Sequence, residues 1–253
     1  MRTALDATAR LLAEARRKVC RVTLLADQKP TDFAEAYALQ DAIGRALSPG
    51  GATIRGWKVG ASDAKSVPTA APIYEVATGP ARIAASHLNM IGVETEIAYL
   101  FGSDLPARSA PYPNDEVMGA VHAVCVAIEV CDSRVADWQR ANDLVKLADH
   151  QLNYALIIGD TRTDLRGIDY RRQQVRTLVD GKVLKEGVGC HALDDPSTLL
   201  QWLANHAAGR GGIASGTVVT TGSWLGMHFI EPGSAVTVEF PGIGQAAVSF
   251  PNA

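Results

Sequence analysis

Val93-Glu94-Thr95-Glu96-Ile97-Ala98-Tyr99-Leu100 is the stretch on which the reading of this chain turns. Apolar residues alternate with polar ones, which predicts a strand, and a period of two places both carboxylates on one face. Like charges this close repel strongly in a low-dielectric setting unless a cation lies between them. A second apolar run, Val124-Cys125-Val126-Ala127-Ile128-Glu129-Val130-Cys131, carries one more isolated acid. Three carboxylates on two apolar strands suit a hard, oxygen-seeking divalent ion such as Mg²⁺ or Mn²⁺, with Glu94, Glu96 and Glu129 as its candidate ligands. The same alternation also describes a half-exposed strand with its acids in water.

The rest of the chain frames those strands. Its 253 residues suffice for one domain, and 47% hydrophobic with 20% charged residues is an ordinary globular balance. A net charge of −3 supplies no basic field for nucleic acid. No run approaches a membrane span and the first residues hold no apolar leader, so a soluble, cytoplasmic protein is expected. Cys20, Cys125, Cys131 and Cys190 form no CxxC pair; reduced, buried thiols are expected and a zinc site is not.

Helical spacing runs from Thr3 to Val19. Thr31-Asp32 with Glu35 caps a second helix that ends at Gly50-Gly51. From Ile54 onward short apolar runs are broken by Gly and Pro. Asn114 opens a short helix into the Val124 strand, and the spacing predicts a longer helix over Asn142 to Ile158, closed at Gly159. Asp180-Gly181 marks a hairpin. Asp195-Pro196 opens another helix ending at Gly209, and Val218–Thr221, Ala235–Phe240 and Ala246–Phe250 read as strands. Helices in front and strands behind predict an α+β fold in a single domain, with a helical segment over 1–53 and a β-rich core over 54–253.

Other patterns carry possible chemistry. In Gly56-Trp57-Lys58-Val59-Gly60 a lysine sits between glycines that permit close approach; desolvation would lower its pKa and suit it to proton transfer or anion binding, whereas a snorkelling surface lysine fits the same letters. Asp132 and Arg134, just after the second acidic strand, could orient a water and clasp a substrate carboxylate, or could form an exposed ion pair. Thr220-Thr221-Gly222-Ser223 follows an apolar strand and offers N–H and hydroxyl donors to an anion, or is a plain turn. Gly209-Arg210-Gly211-Gly212 follows a helix and is no dinucleotide fingerprint. His122 and His150 fall on predicted helices, and Trp202 and Leu203 read as core.

Taken in order, Ala36-Tyr37-Ala38-Leu39-Gln40, Gly56-Trp57-Lys58-Val59-Gly60, Val93-Glu94-x-Glu96-Ile97-Ala98, Ile128-Glu129-Val130-x-Asp132-Ser133-Arg134, Trp202-Leu203-Ala204-Asn205 and Thr221-Gly222 resemble the 2-keto-4-pentenoate hydratase / 4-oxalocrotonate decarboxylase branch of the fumarylacetoacetate hydrolase superfamily. The resemblance implies a mixed, rolled β core behind a helical segment, a homo-oligomer, and Mg²⁺ or Mn²⁺ on the positions of Glu94, Glu96 and Glu129. It implies a proton-transfer or substrate-binding role for Lys58, and a 2-oxo or 2-hydroxydienoate acid from the meta-cleavage of aromatic compounds as substrate. Departures cluster around the substrate segments: Gly60-Ala61-Ser62-Asp63, Pro72-Ile73-Tyr74-Glu75, and Asp149-His150-Gln151-Leu152-Asn153. Where hydratases of the family carry an acid, this chain has Ile73, which leaves water activation to a metal-bound carboxylate or to Glu75; Asn153 stands in a substrate-binding segment. Hydration of a 2-hydroxy-2,4-dienoate is the expected reaction, ahead of decarboxylation in an apolar pocket lined by Ile73, Val76 and Leu152. Acylpyruvate hydrolysis would need an early His–Glu pair, and no histidine precedes His87. A non-catalytic subunit that keeps the fold and the metal is a further alternative.

Overall fold

The computed structural model describes residues 3–48, 50 and 52–252. Two helices come first, α1 (Thr3–Lys18) and α2 (Phe33–Leu47). Strands β1 (Gly56–Gly60), β2 (Thr69–Ile73), β3 (Val76–Thr78), β4 (Ala81–Arg82), β5 (Gly92–Phe101) and β6 (Leu105–Pro106) follow, then α3 (Asn114–Ala120) and β7 (Val121–Cys131). After α4 (Asp143–Ala148) come β8 (Asn153–Arg162), β9 (Gln174–Val179), β10 (Lys182–Val188) and α5 (Leu199–Ala208). The chain closes with β11 (Gly212–Ile213), β12 (Val218–Thr220), β13 (His228–Phe229), β14 (Ala235–Phe240) and β15 (Gly244–Ser249).

One sheet runs β2-β1-β12-β5-β7-β8-β3 with β13 on β5; a second runs β10-β9-β14-β15-β4; β11 and β6 form a small pair. The order mixes parallel and antiparallel neighbours: β1 is parallel to β12, whereas β5 and β7 are antiparallel and paired along nearly their whole lengths. The α+β expectation with a mixed core therefore holds.

The long strands β5 and β7 are buried on both faces. Val93, Ile97, Tyr99, Val124, Val126, Ile128 and Val130 point into the main core, against Val175, Val236, Val238 and Phe240 of the second sheet. Thr95 crosses that interface to hydrogen-bond Thr177 (2.5 Å between hydroxyl oxygens). The opposite face carries Glu94, Glu96, Glu129 and Cys131 and, further along, an apolar patch of Ile73, Ala98, Cys125, Ala127, Leu156 and Val218. Helices α1 and α2 pack with Val135 and with Val145, Leu147 and Ala148 in a separate apolar cluster.

Local signals mostly translate as expected. Asp32 caps α2 by accepting from the Glu35 N–H (2.8 Å), and the Glu35 carboxylate reaches back to the Thr31 N–H and hydroxyl. The helix stops at Leu47, Gly50 has φ +90°, and Gly51 lies outside the described residues. Asp180 and Gly181 both take positive φ between β9 and β10, as a type I′ turn requires. The predicted 142–158 helix is corrected. Helix α4 ends at Ala148, a left-handed turn follows with φ of 54°, 51° and 66° at His150, Gln151 and Leu152, and Tyr154–Ile158 is strand within β8. Gly159 is not a helix cap; a Cβ there would overlap the Gln245 carbonyl oxygen, so the residue permits close approach of β15. His122 lies on β7, and His150 in the single left-handed turn His150–Leu152 rather than in an α-helix. Cys125 and Cys131 are buried, but Cys20 and Cys190 are exposed, and all four are free. Among the described residues no helix is long and apolar enough to cross a membrane.

Candidate functional site

The pairing of Glu94 with Glu129 builds the site. In this register Gly92 faces Cys131 and Glu96 faces Ala127, so Glu94, Glu96, Glu129 and Cys131 share one face of adjacent strands. Strand β12 pairs Thr220 with Ala98, and β1 pairs Lys58 with Thr220, which carries Lys58 and Thr220 to the same face. On the other side Cys131 pairs with Asn153 of β8. Five strands thus supply one constellation from residues as distant in the chain as Lys58 and Thr220.

Its hydrogen bonds leave the acids incompletely satisfied. Lys58 Nζ donates to Glu129 Oε1 at 2.7 Å and to the Gln151 carbonyl at 3.0 Å, and Asn153 Nδ2 donates to the same Glu129 oxygen at 2.9 Å. Glu96 Oε2 accepts from the Thr220 hydroxyl and from the Gly222 N–H (2.9 Å). That N–H is offered by a residue at φ +107°, which glycine adopts without strain. Glu129 Oε2 and Glu96 Oε1, each in a residue with 0% exposure, have no hydrogen-bond partner among the described residues. A solvent-facing reading of these strands is thereby excluded. Buried carboxylate oxygens without donors are costly, so they point to a group that completes them.

The electrostatics agree. Burial first, then the charges of Glu129 and Glu94, push Glu96 well above the usual carboxylate range; burial also raises Glu94, against the pull of Lys58. Burial alone would lower Lys58, but Glu129, Cys131, Glu94 and Glu96 outweigh it and hold the ammonium protonated. This corrects the expected downward shift: the lysine is desolvated among acids, not among apolar groups. Three carboxylates and one lysine leave a formal charge of −2 when all are ionised, which is what a divalent cation neutralises. The donor atoms of Glu94, Glu129 and Cys131 lie within 4.8 Å of one another.

The remaining expected residues divide. Asn153 and Gly222 touch the acids. Arg134 does not reach outward: it is 2% exposed, Nε donates to Asp149 Oδ1 (2.7 Å), Nη1 to the Asp132 and Asn153 carbonyls, and Nη2 to the Asp149 carbonyl (2.7 Å). Its fork is spent inside the fold, so the idea of a substrate clasp is corrected. Asp132 accepts from Asn89 Nδ2 and the Met90 N–H, both at 3.1 Å, and so anchors that loop. The Thr221 hydroxyl turns to the Ile97 carbonyl and that of Ser223 to the Gly226 carbonyl. Glu75 is exposed and lines a different cavity of about 520 Å³ with Arg16, Arg82, His87 and Tyr154. Ile73 and Val76 belong to the apolar patch on the acidic face, but Leu152 lines another cavity of about 430 Å³ beside Gly60, Thr69 and Gln151, so the three form no common pocket.

Thr220, named only within the donor turn, gives its hydroxyl to an acid rather than to a substrate anion, and Cys131 and the Gln151 carbonyl were not anticipated. Cys131 was legible, two residues beyond Glu129 in the same alternation; a carbonyl exposed by three consecutive left-handed residues has no letter code.

A rolled mixed β core with an acidic, lysine-bearing face defines the class. The family model described as fumarylacetoacetate (FAA) hydrolase C-terminal matches residues 64–250, and the chain belongs to the fumarylacetoacetate hydrolase family. A 2-keto-4-pentenoate hydratase of Paraburkholderia phymatum is 31% identical over 160 residues, a match that spans 62% of this chain and 60% of that protein. A 4-oxalocrotonate decarboxylase of Pseudomonas putida is 30% identical over 236 residues, 88% of each chain. The solved structure of 4-oxalocrotonate decarboxylase from Pseudomonas putida G7, complexed with magnesium and adipate, superposes with a TM-score of 0.84 at 25% identity, over 99% of this chain and 98% of that one.

Proposed function

We propose that this chain is a divalent-metal-dependent lyase acting on a short 2-oxo or 2-hydroxydienoate acid of aromatic meta-cleavage catabolism. The observation that carries the reading is the pair of buried, unpartnered carboxylate oxygens on Glu96 and Glu129 beside a protonated Lys58. Glu94, Glu96 and Glu129 would hold the ion, Mg²⁺ or Mn²⁺ by the oxygen chemistry of the set. When bound, the ion supplies Lewis acidity toward the keto and carboxylate oxygens of such a substrate.

The chain's own groups do the rest. Glu129 and the Gln151 carbonyl aim the Lys58 ammonium and take two of its three hydrogens, leaving one to donate as charge builds on the substrate. Asn153 fixes the Glu129 carboxylate, and Thr220 with Gly222 fixes that of Glu96. The apolar patch around Ile73, Ala98, Ala127 and Leu156 excludes water from that side of the face.

Two reactions share this apparatus. In decarboxylation of a 2-oxo-3-enedioate the bond to the distal carboxylate breaks, carbon dioxide leaves, its electron pair enters the conjugated dienolate, and a proton from Lys58 completes the 2-hydroxydienoate. In hydration, water adds to the distal alkene carbon of a 2-hydroxydienoate and gives a 4-hydroxy-2-oxo acid. Hydration needs a base near that carbon; of the two candidates Glu75 lines a separate cavity, which leaves a carboxylate of the cation site. That placement favours decarboxylation; the hydratase relatives favour the alternative. The homo-oligomer expected from the resemblance belongs to the same proposal.

The deciding assay offers 4-oxalocrotonate and 2-hydroxypenta-2,4-dienoate separately with Mg²⁺ and identifies the products. Carbon dioxide from the first, abolished by chelator, supports the decarboxylase. Hydration of the second without carbon dioxide from the first supports the hydratase. Turnover of neither, with Mg²⁺ bound, would leave a non-catalytic binding subunit.

A further inference from the structure

One side chain on the acidic face is left over by a three-carboxylate site. Cys131 is 0% exposed and sits diagonally across the Glu94–Glu129 rung, its sulfur 3.7 Å from Glu94 Oε2. The donor atoms of Glu94, Glu129 and Cys131 fall within 4.8 Å of one another, comparable with the roughly 4.6 Å between opposite donors around an ion with bonds of about 2.3 Å. Glu96 is outside that closest trio, one of its oxygens being tied to Thr220 and Gly222. Independently of the thiol, Glu129 Oε2 is buried there with no donor to meet it. Cys125, on the same strand and face, supplies the contrast: it lies in the apolar patch, and its thiol donates to the Ala98 carbonyl at 3.6 Å.

We propose that Cys131 is a donor of the cation site, which makes the site a mixed oxygen–sulfur set that binds thiophilic divalent ions such as Cd²⁺, Zn²⁺ or Co²⁺ more tightly than carboxylates alone would. The inference rests on Glu94 and Glu129 being cation ligands. Oxygen donors suit Mg²⁺ and Mn²⁺, whereas a thiolate adds affinity selectively for softer ions. A serine at 131 keeps a small polar side chain in place and removes only that softness.

The test is calorimetric titration of Cd²⁺ and of Mg²⁺ into the full chain and into Cys131→Ser, with ultraviolet thiolate-to-Cd²⁺ charge-transfer absorption followed in parallel. Cys131→Ser should lose about tenfold or more in Cd²⁺ affinity, a loss of the size seen when a metal site is altered by one group, while Mg²⁺ affinity changes far less. Absorption from the exposed Cys20 and Cys190 persists in the variant, so the difference isolates Cys131. Cys125→Ser should leave both affinities as they were. In the unaltered protein, saturating Mg²⁺ should remove part of the Cd²⁺ band, a result that stands even if the variant fails to fold. An unchanged Cd²⁺-to-Mg²⁺ affinity ratio in Cys131→Ser, or a band insensitive to Mg²⁺, overturns the proposal while Mg²⁺ binding stands. Absence of Mg²⁺ binding in the unaltered chain overturns the cation site itself.

Discussion

Two clusters of buried charge lie a short distance apart and are built on opposite principles. Around Arg134, a guanidinium and the Asp149 carboxylate meet at 2.7 Å, both 2% exposed, and three carbonyl contacts, the Arg134 N–H and the Ser133 hydroxyl complete the pair. Around Glu129, one lysine faces three acids and two carboxylate oxygens have no donor. The first network is closed, and its charges serve the fold by fixing the chain between β7 and β8. The second is open, and its excess of negative charge is tolerable only if something outside the chain completes it. Buried charge by itself therefore does not mark a site; incompletely answered buried charge does.

Deleting one charge should accordingly have opposite consequences in the two places. Glu96→Gln removes an acid from the open cluster and should lower turnover by about a thousandfold, on the scale of losing a charge-stabilising group, with the far-ultraviolet circular dichroism and melting temperature retained or improved. Arg134→Met strips the closed cluster and strands Asp149, and should cost about 3–5 kcal/mol of stability in a denaturant titration. A stable Arg134→Met protein that fails only in substrate binding would return Arg134 to the clasp expected from its sequence.

Lys58→Ala sharpens the contrast, because this cation would compete with the proposed metal ion for Glu129. Turnover should fall roughly a hundredfold or more from loss of the proton donor, yet calorimetry should find Mg²⁺ bound at least as tightly as before. Weaker Mg²⁺ binding would mean that Lys58 organises the ligands rather than opposing the ion.

The smallest effect lies outside both clusters. His206 stacks on Trp202 at 5.0 Å and near Tyr37 at 4.7 Å, and burial, then Arg210, depress it to about 4. A histidine lowered in the folded state binds fewer protons there than in the unfolded chain. Its contribution is thus present above its ordinary value of 6.5 and is lost as pH falls toward 4. The melting temperature should decline across that window, and His206→Gln should flatten the decline; an unaltered slope would place the acid sensitivity elsewhere.

How much of this could be read from letters follows from the range of the interactions. Alternation is local, so Val93–Leu100 announced a strand and the one-sided placement of Glu94 and Glu96, and the Val124 run announced its partner. Cap and turn chemistry is equally local, which is why Asp32, Asp180-Gly181 and Asp195-Pro196 fell where expected. The segment 142–158 failed because its apolar spacing suits a helix as well as a buried strand. Only the slot between β7 and β3, with β15 crossing at Gly159, decides for the strand.

The residue types of the site and the alternation that puts acids on one face were readable from the letters, because alternation depends only on neighbours one or two positions away. Tertiary structure alone decided which acids remain unanswered, that Lys58 is held charged rather than neutral, that Arg134 is spent on Asp149 and that Glu75 stands apart. Those outcomes depend on register and burial between strands distant in the chain, where a one-residue slip would turn each of these side chains to the other face.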